Sequence, residues 1–321
     1  MTKKYELLQD DTVITPMGKT LYRIKALVAI GPFVSPGDPG GYIEGTKNLD
    51  MSGNAWVFDD AYVGGNALVS GNAWVCGNAR VYGDARVYGD ALVFDDAQVD
   101  DNARVGYNAR VGYNAHVSGK ARVRGNARVY GNAHVYGNAH VSGNASVRDN
   151  ARVYGNAHVS GNASVYGNAQ VHGVAQVSGN AWVFDDAQVS DNAQVRDNAC
   201  VSGNASVYGN AQVFDNAHVS DNAWLRGDAM AFGDARVYGD AQVKKKNDIQ
   251  WFTNVGPEFG TLTVCKAKKG LFISQGSFSG SLEEFKIAVN EKYGASKYGS
   301  HYQALINAIE IWFTNSNEKD C

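Results

Sequence analysis

Gly71-Asn72-Ala73-Trp74-Val75-Cys76 is followed at once by Gly77-Asn78-Ala79-Arg80-Val81-Tyr82, and the same six-residue phrase runs on in both directions. Alanine holds every sixth position from Ala55 to Ala241, 32 in succession, and Val comes two residues after nearly every one. A short fixed period marks a solenoid, and a period of six points to a parallel β-helix. Ala and Val share parity, so both turn inward on a short strand while the residue between them faces outward. Three hexads make one triangular coil of 18 residues, and the 32 hexads make ten to eleven coils. Stacked at the strand spacing of about 4.8 Å, the coils would form a rod about 50 Å long. Val fills the interior and Ala fits the tighter space near the corner. The Gly-Asn pair turns the corner, both residues tolerating left-handed backbone better than others do. No insertion interrupts the hexads between Ala55 and Val243.

The repeat is framed by two different segments. Residues 1–52 read as an N-terminal β cap, with Val13-Ile14 and Leu21 to Val28 as strands around the turn formers of Pro16-Met17-Gly18-Lys19. A Gly/Pro-rich stretch, Gly31 to Gly45, follows. Residues 53–246 are the repeat. Residues 247–321 read as a small α+β unit that caps the last coil or recognises a partner. Its strands are expected at Ile249–Phe252, Thr261–Val264 and Leu271–Ile273. A capping box at Ser281-Leu282-Glu283-Glu284 opens a helix, and Tyr302, Leu305, Ile306 and Ile309 line a second. All five prolines lie outside the repeat, as a continuous backbone ladder requires. The fold class is therefore an all-β solenoid with a small N-terminal β cap and a small C-terminal α+β domain. The caps are needed because open solenoid ends present unpaired strand edges. Trp56, Trp74 and Leu92 stack on one outward face near the first coils, and such exposed aromatics are expected to pack under a cap or at a subunit contact.

Bulk properties narrow the function classes. The formal charge of −3 over 321 residues favours neither a nucleic-acid nor a membrane partner. No apolar run approaches the roughly 20 residues of a membrane helix, and the N-terminus lacks the apolar core of a signal peptide. The cysteines Cys76, Cys200, Cys265 and Cys321 have no metal or disulfide spacing, so free thiols in a cytoplasmic setting are expected.

The hexads resemble those of the hexapeptide-repeat acyltransferase superfamily, which implies a left-handed β-helix, a trimer, and acyl-coenzyme A as cofactor if the chain is a transferase. A closer resemblance lies in Leu21-Tyr22-Arg23-Ile24-Lys25-Ala26-Leu27, Gly37 to Glu44, and Asn48-Leu49 ahead of Gly53-Asn54-Ala55-Trp56-Val57. These look like a group of hexapeptide-repeat proteins of bacteria and their phages, often assigned as transferases or polymer-forming proteins. Pro39 stands where Leu is expected in that group. The resemblance brings no established catalytic residue. Superfamily acyltransferases place a base His in a subunit cleft bounded by a protruding loop, and this repeat has no such loop. The γ-class carbonic anhydrases share the fold but use a His-x4-His spacing that is absent here.

From Ser52 to Lys246 there is no Thr, Ile, Glu or Pro. A flat Thr-x-Thr ice-binding face is thus excluded, and acid–base work would fall to Asp or His. The Asp residues sit almost wholly in corner pairs, where Asp is an ordinary turn former, and they do not follow the glycine-rich calcium pattern. His116, His134, His140, His158 and His218 occupy the outward slot between Ala and Val. Residues 18 apart are neighbours, so His116 meets His134 and His140 meets His158. Such pairs serve as solvated side chains, as metal ligands lacking the further ligands zinc needs, or as an acyl-transfer base. His134, His140 and His158 are the candidates for that last role, and no metal site is assigned.

Charge is segregated along the repeat. Residues 53–101 carry a net of −6, residues 102–172 a net of +7, and residues 173–242 a net of −6. Within the basic belt Arg86, Arg104, Arg122, His140 and His158 share one face, and Arg110 and Arg128 stack on another. Like charges about 5 Å apart cost on the order of 1 kcal/mol per contact without a counter-anion. The belt is either an anion site or a product of hexad duplication screened by water and salt. Tyr136 and Tyr154, 18 apart, interleave with it and offer rings on which bases stack, as does Tyr130. Acidic flanks disfavour long nucleic acids. The expected function is a non-catalytic scaffold or binding protein for a compact anionic ligand or, in a phage-borne version, a host protein. The alternatives are an acyltransferase and, failing on ligand spacing, a carbonic-anhydrase-like zinc enzyme.

Overall fold

A computed structural model of the chain describes residues 3–315; Met1, Thr2 and residues 316–321, Cys321 among them, lie outside the described residues. The chain divides into two compact units, Met1–Gly173 and Val174–Cys321. Both are built on a parallel β-solenoid.

The first unit opens with β1 (Tyr5–Ile14) and β2 (Thr20–Ala26), an antiparallel hairpin. Strand β3 (Pro39–Ile43) pairs antiparallel with β2 and parallel with Tyr62–Val63 of the repeat. The Gly/Pro-rich stretch thus contains a strand that its composition conceals. Its glycines serve close approach: a Cβ on Gly41 would stand 2.4 Å from the Ala61 carbonyl oxygen, and one on Gly40 would stand 2.7 Å from that of Val57.

From Trp56–Val57 to Gln170–Val171 each hexad then contributes one two-residue strand. From Trp56–Val57 to Arg152–Val153 each strand pairs in parallel register with the strand 18 residues on, as in Trp56↔Trp74, Arg104↔Arg122 and His116↔His134. The strands form three faces, named here for Arg80, Arg104 and Arg110. The inward Ala and Val side chains are almost wholly buried, and each buried Val contributes about 1.5–3 kcal/mol.

The corners divide their labour differently from the sequence reading. Only the first residue of each pair is left-handed, at φ +70° for Gly131 and +57° for Asp185. The Asn beside it serves an amide ladder instead: Asn126 Nδ2 donates to Asn144 Oδ1 at 2.9 Å, and Asn144 repeats this to Asn162. At most corners where Asp replaces Gly, its carboxylate accepts the N–H of the corner 18 residues on. Asp59 takes that of Gly77 at 2.9 Å and Asp101 that of Gly119 at 3.0 Å. Asp tolerates φ > 0 through such local bonding, so these residues are structural.

The first coil is closed by the N-terminal segment. The Asp50 N–H donates to the Val69 carbonyl, and Lys4 Nζ donates to the carbonyls of Ala55 (2.6 Å) and Asp50 (3.1 Å). Burial pulls the Lys4 ammonium down to about 8. Trp56 is buried with its ring edge-to-face against Tyr5, and Trp74 meets Phe33 in the same way.

In the second unit the hexads run from Gln176–Val177 to Gln242–Val243. Leu225 and Ala231 replace Val in consecutive hexads of one coil, a large and a small side chain in succession. A four-stranded antiparallel sheet follows, Ile249–Val255, Gly260–Lys266, Leu271–Gln275 and Phe278–Ser281 in that order. Then come α1 (Leu282–Tyr293) and α2 (Lys297–Asn315). Ser281 and Glu284 form the expected capping box. Val264, Ile273, Phe285, Tyr302, Ile306 and Ile309 make the core of this part. It closes the last coil: Thr263 Oγ1 accepts from the Arg236 N–H and Ser274 Oγ donates to the Arg236 carbonyl, both at 2.9 Å. No helix among the described residues is long and apolar enough to cross a membrane, and Cys76, Cys200 and Cys265 are free thiols.

Candidate functional site

The outward slots of the first unit hold two arrays with chemical content. On the Arg104 face the register stacks Arg86, Arg104, Arg122, His140 and His158 in that order. The three guanidiniums are exposed, and among the described residues none of the three forms an ion pair. The His140 and His158 rings stack at 4.8 Å. Burial, then the charges of His158, Arg122 and Arg124, hold the His140 imidazole below its ordinary pKa. Near neutral pH that ring is uncharged while the guanidiniums remain cationic. Arg110 and Arg128 are neighbours on the next face, beyond Leu92, and are likewise exposed without an ion pair among the described residues.

Tyr136 and Tyr154 stand at the corner between the Arg104 and Arg80 faces. Their rings are parallel at 4.9 Å, and Tyr154 stacks in turn on His172 at 4.8 Å. Both faces of Tyr154 are therefore taken by neighbours in its own file. This corrects the expectation that it offers a face to a base, because an 18-residue spacing brings rings to stacking distance of each other first. Tyr130 likewise packs edge-on against Phe94 and Tyr113.

The second array is on the Arg80 face, where Arg80, Gln98, His116, His134 and Arg152 stack. Beside it, at the corner, lies Asp100, 6% exposed. Its Oδ2 accepts from the Tyr82 hydroxyl at 2.6 Å and lies 2.8 Å from His116 Nε2, while its buried Oδ1 has no partner. Burial works to raise the Asp100 carboxyl, but hydrogen bonds from His116 and Tyr82 and the imidazolium charge outweigh it and leave the pKa below the ordinary value. The bond to Asp100 raises His116, against the opposing effect of burial. Burial and Asp100 push the Tyr82 phenol upward.

His134 lies next to His116, ring centroids 5.6 Å apart. Burial, then His116 and Arg152, lower it. The three base candidates read from sequence are thus split, His134 on one face and His140 with His158 on another. Among the described residues none of them has a carboxylate at hydrogen-bond distance; His116 has one. A carboxylate-oriented imidazole is one arrangement that serves a general base. Asp100 was legible as an anomaly, since no other hexad carries Asp in the slot after Val. Its partner was not, because 16 residues separate Asp100 from His116 and the contact crosses between coils. No three His, Cys, Asp or Glu side chains among the described residues converge to hold a metal ion.

Comparison with protein-family models finds similarity to the YdcK β-solenoid repeat in residues 61–77, 73–88, 79–93, 85–101, 121–137, 127–143 and 175–191. The matched stretches include Arg86, Asp100, Arg122, Arg128, His134 and His140, and the similarity is one of repeat architecture. No curated protein matches the chain.

Proposed function

We propose that the chain is a solenoid scaffold that binds a compact anionic ligand, a nucleotide or an acidic patch on a partner protein, along the Arg104 face. The observation that carries this reading is the register of Arg86, Arg104 and Arg122, three exposed guanidiniums on adjacent strands without a carboxylate partner among the described residues. Adjacent strands lie about 4.8 Å apart, so each cation repels the next until an anion bridges them, and guanidinium forks suit phosphate and carboxylate. His140 and His158 extend the file, and Arg110 with Arg128 form a shorter one on the next face. An infecting element that uses such a rod to occupy a host protein or capture a small nucleotide is the sharper form of the same reading.

Isothermal titration with a panel of nucleotides tests it. Saturable binding is expected, weakened at least tenfold by Arg104→Ala with Arg122→Ala and weakened by salt. Silence across the panel, with the double variant behaving as the parent, counts against the reading.

Acidity supplies a second expected outcome. Protonating His140 adds charge beside Arg122, so affinity rises as pH falls from 7.5 through the His140 pKa, which lies below about 6.5. His140→Gln should flatten that rise.

A catalytic reading is favoured by one observation, the Asp100–His116 pair. It makes His116, with His134 next to it, the base to test in an acyl transfer from coenzyme A thioesters. Lack of coenzyme A binding by the purified protein would remove it.

A further inference from the structure

The turn between β1 and β2, Thr15 to Lys19, stands over the Arg80 face and encloses a groove of about 630 Å³. That is the size range of small-molecule sites, as is its make-up of apolar walls with a few placed polar groups. Pro16, Met17 and Leu21 of the hairpin line it together with Tyr62 and Tyr82 of the repeat. Tyr82 is not free to swing away, because its hydroxyl is fixed to the buried Asp100 at 2.6 Å. The Asp100–His116 pair thereby holds an aromatic wall of the groove in place.

The charges of the lining are unequal in their commitments. Glu44 accepts the Gly65 N–H at 2.6 Å and lies 4.0 Å from Lys19. Asp101 accepts the Gly119 N–H. On the other side of the hairpin, Asp11 and Asp60 are both paired with Arg23. Against these hydrogen-bonded carboxylates, Lys47 bonds a neutral amide, Asn66 Oδ1 at 3.1 Å, and forms no ion pair among the described residues. Arg80 lies 5.6 Å from the centre of the Tyr62 ring and forms no ion pair among the described residues. Lys47 and Arg80 thus have no ion-pair partner among the described residues, and with Lys19 they outnumber the lining carboxylates Glu44 and Asp101 beside aromatic and aliphatic walls.

We propose that this groove is a binding site for a small aryl anion, a single flat ring bearing a phosphate or carboxylate, with Arg80 and Lys47 taking the charge and Tyr62 and Tyr82 the ring. The site is separate from the Arg104 face and does not rest on the reading given to it. A bare inorganic anion would leave the apolar walls uncovered, and a neutral ring would leave the cations unanswered. Both halves of the ligand are therefore required.

The test is isothermal titration of the full chain with phenyl phosphate, with inorganic phosphate and benzyl alcohol as the two half-ligands. One phenyl phosphate per chain is expected at this groove, a site retained when the Arg104 file is removed, with each half-ligand at least tenfold weaker there. Arg80→Gln should weaken phenyl phosphate about ten- to hundredfold, the range of a lost charged hydrogen bond. Gln already occupies the next slot of the same file, at Gln98, so that variant keeps the fold. Met17→Glu places a negative charge at the rim on a side chain that is 82% exposed, and should weaken binding about tenfold, leaving the melting curve unchanged. Arg104→Ala with Arg122→Ala should leave phenyl phosphate binding as it was. Absence of saturable binding overturns the proposal. So does equal affinity for inorganic phosphate, indifference to Arg80→Gln, or loss of binding in the Arg104/Arg122 double variant.

Discussion

Replacing His116 by alanine is expected to destabilise the Met1–Gly173 unit by about 3 kcal/mol, the low end of the cost of breaking a buried ion pair. The low end applies because the imidazole side chain is 31% exposed while that of Asp100 is 9% exposed. Removing the ring leaves a carboxylate with one bond, from Tyr82, and one buried oxygen without any. Replacing Asp100 by serine, which the chain uses in the same file at Ser118, should cost less, about 1–2 kcal/mol. The double variant should cost little more than Asp100→Ser alone. Urea unfolding of the four proteins checks this, and additive costs would show that the pair is not coupled.

The pH dependence has a definite sign. His116 is raised in the folded state, so its contribution is complete below its unfolded value of about 6.5 and fades as pH rises through the folded pKa. Asp100 is lowered, so its contribution is present above the unfolded value of about 3.9 and is lost as pH falls through the folded pKa. The gap between parent and His116→Ala should be widest between these limits and narrow as pH rises through the folded His116 pKa.

Gly137→Val is the second large expected effect, a loss of about 3 kcal/mol or more. Gly137 sits at φ +70°, and a Cβ there would stand 3.0 Å from the Gly155 carbonyl oxygen and 3.1 Å from its nitrogen. The left-handed conformation alone costs an L residue about 1–2 kcal/mol, and a branched side chain adds contact with backbone that the next coil holds fixed. Gly137→Asp should cost under about 1 kcal/mol, because the same station elsewhere takes Asp at φ near +57° and gains a bond to the following corner N–H. Thermal melts of the two variants decide it. Equal losses would mean that the corner rejects any Cβ, and that the Asp corners are held by something other than this bond.

The solenoid, its 18-residue register and its inward Ala and Val were legible from Ala55 onward because parity and period are local properties of the backbone. The files of Arg86 to His158 and of Arg110 with Arg128 followed from that register directly. The strand Pro39–Ile43 was hidden, because its glycines answer to close contact with Val57 and Ala61, which composition does not display. The role of Asn in the corner was misread for a related reason. A left-handed conformation and an amide ladder favour the same residue type, and only the φ values separate them.

The amino-acid sequence by itself determined which residues stand outward and which of them are vertical neighbours, since a six-residue period leaves one solution. Tertiary structure decided what those neighbours do with their reach. It spent the faces of Tyr154 on Tyr136 and His172, joined Asp100 to His116 and Tyr82 across coils, and set the β1–β2 turn over Arg80. Side-chain contacts between coils depend on rotamer and on where the N-terminal hairpin lies, and neither is written in the period.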